Sequence, residues 1–99
     1  MQAGLEALDP KHYYRSIKQQ KKADFDYCCA YCGETPILLT IDHIVPRSQN
    51  GTNEPNNLLP ACRGCNESKG SLSVRRWYTK SNHRYNVDRW LRILEVIQS

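Results

Sequence analysis

Residues 29 to 66 read CAYCGETPILLTIDHIVPRSQNGTNEPNNLLPACRGCN, and this stretch decides the fold. It opens and closes on C-x2-C pairs, Cys29/Cys32 and Cys62/Cys65, with 29 residues between them. Each pair can present two thiolates from one tight knuckle, so the two together form a tetrahedral zinc cage that ties distant segments of chain. Gly33 follows the first knuckle and can take the backbone conformation that folds the chain back around a metal. A closed four-thiolate site has no open coordination position, so zinc here is structural and chemistry must lie elsewhere. Its binding energy in such sites, roughly 10 to 16 kcal/mol, rivals the whole stability of a small domain.

Between the knuckles lie two apolar, β-prone runs, Ile37 to Ile41 and Leu58-Leu59-Pro60-Ala61. The Pro, Ser, Asn, Gly and Thr of residues 46 to 56 separate them, which predicts an antiparallel hairpin with a long irregular loop. A short helix over residues 64 to 69 follows, closed by Gly70. The polar residues best placed to converge are Asp42, His43, Asn57 and Asn66, the last immediately after a zinc ligand. A carboxylate and an amide oxygen suit a hard divalent ion, which also keeps waters and accepts phosphate oxygens. A histidine, with an ordinary pKa of about 6.5, can take a proton from an attacking water at neutral pH. Along a strand Asp42 and His43 leave on opposite faces unless the backbone bends there.

The chain is 99 residues long, 39% hydrophobic, with a formal net charge of +4. No apolar run approaches the roughly 20 residues needed to cross a bilayer. The opening MQAGLEALDP lacks the layout of a secretory signal, which points to a reducing, cytoplasmic setting where disulfides are a poor use for five cysteines. Cys28 could compete as a ligand, but the C-x2-C spacing assigns Cys29 and leaves Cys28 as a small buried hydrophobe. A four-thiolate zinc site adds net negative charge, so distribution matters more than total. Residues 10 to 25 carry five Lys or Arg against one acid, and residues 63 to 92 carry eight against two. Two basic arms around a nearly neutral middle suggest an extended polyanion.

Asp9 and Pro10 read as the N-cap and first position of a helix over residues 10 to 22. On it Lys11, Arg15, Lys18 and Lys22 form a cationic stripe, with Tyr13 and Ile17 on the docking side. Further on, Arg75 and Arg76 adjoin Trp77 and Tyr78 in a basic and aromatic cluster, with both tryptophans, Trp77 and Trp90, read as core. In a final helix over residues 87 to 97, Val87, Trp90, Leu91, Leu94 and Ile97 share one face and Arg89, Arg92 and Glu95 the other. The whole reads as a single α+β domain.

Asp42-His43-Ile44-Val45-Pro46-Arg47-Ser48, Gly51-Thr52-Asn53, Asn57-Leu58-Leu59, Ala61-Cys62-Arg63-Gly64-Cys65-Asn66 and Lys69-Gly70 resemble, in order, the HNH endonucleases. Cys29-x-Tyr31-Cys32-Gly33 resembles their zinc-binding subset, and the likeness covers about residues 25 to 72. It implies a ββα-metal core, DNA as the partner, double-stranded by expectation, and no membrane. The catalytic residues it implies are His43, the general base, and Asn57, which holds the loop that orients His43. Asp42 and Asn66 become the ligands of a catalytic divalent ion, Mg²⁺, Mn²⁺ or another, and a bend at the strand end brings Asp42 and His43 to one site. Asn66 in place of a histidine makes this the H-N-N variant. Arg47, Arg63 and Lys69 are candidates for gripping phosphates, alongside Lys11, Arg15, Lys18, Lys22, Arg75 and Arg76. The implied reaction is phosphodiester hydrolysis, by nicking or double-strand cleavage, in a monomer or a homodimer. The rival is a non-catalytic zinc module that binds nucleic acid through its basic arms, which has no need of Asp42, His43 and Asn66 together.

Overall fold

The computed structural model describes residues 9–99. Its first element is helix α1, Pro10–Asp24, capped as expected: the Asp9 carboxylate accepts from the Lys11 and His12 amides at 3.1 and 3.4 Å. The helix runs two residues past the expected end, to Asp24, with Phe25 as its C-cap, after which Asp26 and Tyr27 take left-handed φ of 53° and 59° and turn the chain into the first knuckle. The docking side differs from the expected one. Tyr13 is exposed, Ile17 is half-buried, and Lys21, one turn beyond Ile17, is buried instead. The helix lies on strand β2, and the i, i+4 pair Ile17 and Lys21 is what faces inward there.

The hairpin forms from β1, Leu39–His43, and β2, Leu58–Cys62, antiparallel, with Leu39 opposite Cys62 and His43 opposite Leu58. β1 therefore begins two residues later than its apolar run. Ile37 and Leu38 have no strand beside them, because β2 ends at the second knuckle, and both are exposed. The long loop contains two 3-10 turns, Arg47–Gln49 and Pro55–Asn57. Helix α2, Arg63–Lys69, follows β2 directly and packs on both strands. Its cap is a thiol of the second knuckle: Cys62 Sγ accepts from the Cys65 amide at 3.4 Å. Hairpin and helix make the ββα core of a small α+β fold.

The C-terminal third completes the core. A short helix α3, Val74–Trp77, is held to the loop by the Val74 amide on the Ile44 carbonyl at 3.1 Å. Trp77 and Tyr78 are buried, and Tyr31 packs edge-on against Trp77 with ring centroids 4.9 Å apart. Helix α4, Val87–Gln98, capped by Asn86, docks through Ile93, which is wholly buried, with Trp90, Val96 and Ile97 packed against the core. That face is rotated from the expected one: Val87 and Leu91 are exposed. Arg89, expected on the outer side, turns inward and donates to the Tyr31 and Arg84 carbonyls at 2.7 and 3.0 Å. Both carbonyls also accept from the Tyr78 hydroxyl, and the guanidinium joins that buried cluster of hydrogen bonds on the inner side of the helix. Among the described residues, no helix is long and apolar enough to cross a membrane.

Candidate active site and metal centre

The four knuckle cysteines converge. Their Sγ atoms all lie within 4.8 Å of one another, and no disulfide links them. Zinc–sulfur bonds of about 2.3 Å put tetrahedral sulfurs about 3.8 Å apart. Cys32 and Cys62 are separated by 3.8 Å. Cys29 and Cys65 are buried and Cys32 and Cys62 half-buried, so the cluster fits a metal with four thiolate ligands and no solvent ligand. The crowding shows in the thiols themselves. A hydrogen bond from Cys65 brings Cys29 down to about 4, and the same bond, with burial, pushes Cys65 up. Gly33, at φ 80°, makes the return turn after the first knuckle, its amide on the Cys29 carbonyl at 2.9 Å. Among the described residues, no other group of three or more His, Cys, Asp and Glu is placed to hold a metal.

Cys28 is not the buried hydrophobe expected of it. It is half-buried, with its sulfur 3.4 Å from Thr35 Oγ1 and 3.5 Å from the Asp26 carbonyl. The turn at Asp26 and Tyr27 directs it away from the cage, and the four ligands are the C-x2-C set.

Asp42 is buried at the end of β1, 5% exposed. The Tyr31 hydroxyl donates to its Oδ2 at 2.5 Å, and the Lys69 ammonium lies 3.3 and 3.2 Å from Oδ1 and Oδ2. Burial pushes the Asp42 carboxyl above its ordinary value, against the opposing pull of Tyr31 and Lys69. Tyr31, shut away between Cys29 and Cys32 of the cage, is raised as well, first by burial and then by the Asp42 charge. On the same side of the strand Asn66 Nδ2 donates to Thr40 Oγ1 at 2.9 Å, and Thr40 in turn donates to the Ala61 carbonyl at 2.7 Å. The Asp42 carboxylate and the Asn66 amide oxygen are the donors a hard divalent ion takes, and both lie between β1 and α2. That donor chemistry fits such an ion, with the Lys69 ammonium as its competitor for Asp42.

Lys69 overturns its expected place on the phosphate-gripping surface. It is 1% exposed, and besides Asp42 it donates to the His43 carbonyl at 2.8 Å. It sits one turn after Cys65 on α2, and Cys65 is committed to the cage, so Lys69 faces the sheet. A charge so enclosed persists only with a partner, which Asp42 supplies.

His43, half-buried, sends its ring into the loop, where Nε2 lies 2.8 Å from Asn53 Oδ1. The same Asn53 oxygen accepts from Arg47 Nη1 at 3.0 Å. The loop is clamped by Asn57, whose Oδ1 accepts from the Val45 amide at 2.8 Å and whose Nδ2 donates to the Val45 and Thr52 carbonyls at 3.1 and 2.8 Å. A side chain at Gly51 would have no room, since its Cβ would fall 1.7 Å from the Val45 carbonyl oxygen. Tyr31 and Asn53 are the site residues that sequence reasoning did not single out. Each stands inside a sequence motif, one between Cys29 and Cys32 and the other in Gly51-Thr52-Asn53, and only folding aims it at Asp42 or His43.

The other basic candidates are spread over the surface. Arg63 is exposed and paired with exposed Glu67 at 3.1 Å. On α1, Lys11 and Arg15 are exposed, while Lys18 is half-buried over the Tyr14 ring and Lys22 is half-buried. Arg75 and Arg76 are exposed on α3, the Arg75 guanidinium 5.9 Å from the Trp90 ring.

Residues 29–72 match the HNH endonuclease family. YoqL, a protein of the SPβ prophage of Bacillus subtilis strain 168 named for the HNH endonucleases, is 32% identical over 96 residues, which is 86% of this chain and 42% of that protein. The CRISPR-associated endonuclease Cas9 of Corynebacterium diphtheriae is 41% identical over 68 residues, 65% of this chain and 6% of Cas9. The Cas9 of Actinomyces naeslundii is 40% identical over 55 residues, 52% of this chain and 5% of Cas9. The chain thus spans under half of the first relative and a small part of the other two. No solved structure matches it significantly. With its ββα core and its cluster of four cysteines, the segment 29–72 is an HNH endonuclease domain of the zinc-binding kind.

Proposed function

We propose that this chain is a divalent-metal-dependent DNA endonuclease in which His43 is the general base. The observation that carries the reading is the set Asp42, His43, Asn57 and Asn66, complete within the family match and gathered around one hairpin and helix. His43 takes the proton of a water, which attacks phosphorus in line with the departing 3′ oxygen, leaving 5′-phosphate and 3′-hydroxyl ends. Asp42 and Asn66 would hold a divalent ion, Mg²⁺ or Mn²⁺, which would supply positive charge for the phosphate and the leaving oxygen. Asn57 and Gly51 keep the loop closed so that the His43 ring stays in place. Zinc at Cys29, Cys32, Cys62 and Cys65 is structural. Residues 9–99 act as one unit, since the C-terminal third shares the core with residues 29–72. Lys11, Arg15, Lys18, Lys22, Arg47, Arg63, Arg75 and Arg76 are the cations for DNA phosphates; Lys69 leaves that group.

Supercoiled plasmid incubated with Mg²⁺, with Mn²⁺ or with chelator, nicked and linear products resolved, tests activity, metal dependence and strand outcome together. A single copy is expected to nick one strand at a time, and a pair to linearise. His43→Ala should lower cleavage by about a hundredfold to ten-thousandfold with zinc content and DNA affinity unchanged. Cleavage by the purified variant at the parent's rate would remove His43 from the role. Salt does not separate this reading from a binding module, because about six phosphate contacts cost either one roughly a thousandfold in affinity between 50 and 200 mM salt.

A further inference from the structure

We propose that Arg47 and Asn53 are positioning residues that set the tautomer of His43, fixing the proton on Nε2 and leaving Nδ1 to accept one. The catalytic side of this rests on the reading of His43 as the base; the tautomer itself does not.

The argument is one of donors and acceptors. An imidazole nitrogen can donate or accept, and an asparagine amide can offer either its oxygen or its NH₂. The 2.8 Å contact between His43 Nε2 and the Asn53 amide is therefore compatible with two opposite arrangements. Arg47 removes one of them. Its Nη1 lies 3.0 Å from the same Asn53 atom, and a guanidinium only donates, so that atom is the oxygen. An oxygen with no hydrogen accepts from both neighbours, which requires a hydrogen on Nε2. A neutral imidazole carries one N–H, so its lone pair stands on Nδ1. Arg47 never touches the ring, yet its single-sign chemistry decides which ring nitrogen is basic.

The backbone supports the arrangement. Arg47 lies in the 3-10 turn after Pro46, and Asn53 lies six residues on, past the close approach of Gly51 to Val45. Asn57 binds the Val45 and Thr52 backbone, so both residues are presented from one clamped loop. Arg47 keeps its remaining donors for other contacts, and the phosphate role drawn from sequence is not its first task.

The test is a long-range proton–nitrogen NMR correlation on the zinc-loaded protein without added divalent ion, its histidines labelled with ¹⁵N, at a pH where imidazoles are neutral. The His43 signals are identified by their loss in His43→Gln. The parent should show one tautomer, with the proton on Nε2. Arg47→Ala lets the Asn53 amide turn over, so the Nδ1–H form should appear and kcat for plasmid cleavage should fall about tenfold to a hundredfold. Arg47→Lys, also donor-only, should keep the single tautomer. Adding Asn53→Asp to Arg47→Ala should restore it, because a carboxylate can only accept. A proton on Nδ1 in the parent, or an Arg47→Ala variant with the parent's tautomer and kcat, would overturn the proposal. A parent with Nε2–H whose His43→Gln variant cleaves at full rate would leave the tautomer standing and sink the role of His43 as base.

Discussion

The amide of Asn57 satisfies three backbone groups of the loop, two on Val45 and one on Thr52, and Asn57 itself is buried. Asn57→Ala would leave all three without that partner. Stability should fall by about 2 to 3 kcal/mol, read as a lower urea midpoint at unchanged slope. Cleavage should fall further than the unfolded fraction explains, because the loop that fails is the one holding His43. Gly51→Ala attacks the same loop by volume. A Cβ placed 1.7 Å from a carbonyl oxygen forces the loop open. We expect Gly51→Ala to retain zinc and circular dichroism while losing most of its cleavage; full activity would show that the loop yields without disturbing His43. The importance of Asn57 was legible from the family pattern, but its three bonds were not. A sequence names a polar residue; which backbone groups it satisfies depends on how the loop closes.

Helices and strands were readable in kind and offset in detail. The Asp9 cap and the Gly70 stop stand where their chemistry put them, because caps are set by neighbours in sequence. The faces of α1 and α4 are not set that way. Periodicity gives a stripe, and the partner surface chooses which part of it is buried: Lys21 on α1, Ile93 and Arg89 on α4. Lys21 yields a prediction at this scale. Burial holds its ammonium below the ordinary lysine value of 10.5, with Asp24 pulling the other way. The unfolded chain therefore binds that proton more tightly than the folded one. The cost is full below the lowered folded value and disappears as pH rises to 10.5, so stability climbs through that window. Lys21→Met should stabilise the fold by about 1 kcal/mol near neutral pH, seen as a higher Tm, with the gain shrinking toward pH 10.5. A gain independent of pH up to that point would mean that packing, not the buried charge, was responsible.

At the scale of the molecule, the four-cysteine cage and the candidate active site are one framework. Tyr31 stands between two cage cysteines, its hydroxyl on Asp42 and its carbonyl taken by Tyr78 and Arg89. Helix α2 starts from the cage and carries Asn66 and Lys69 to the strand. Removing the metal should therefore unfold both regions together. A strong zinc chelator, or Cys65→Ser, should abolish the folded near-ultraviolet signal of the buried Tyr31, Trp77 and Tyr78 along with cleavage. A zinc-free protein with that signal intact would show that the aromatic core stands without the cage. Sequence alone determined the four-cysteine cage and the order of hairpin and helix, and put Asp42, His43, Asn57 and Asn66 forward as the candidate site, because ligand spacing, turn chemistry and ordered motifs are written locally. Only the tertiary structure decided that Lys69 turns inward to Asp42, that Tyr31 joins the cage to that carboxylate, and that Arg47 and Asn53 face His43. Those outcomes depend on which side chains meet across the hairpin, helix and loop, where burial forces each charge and polar atom to find a partner.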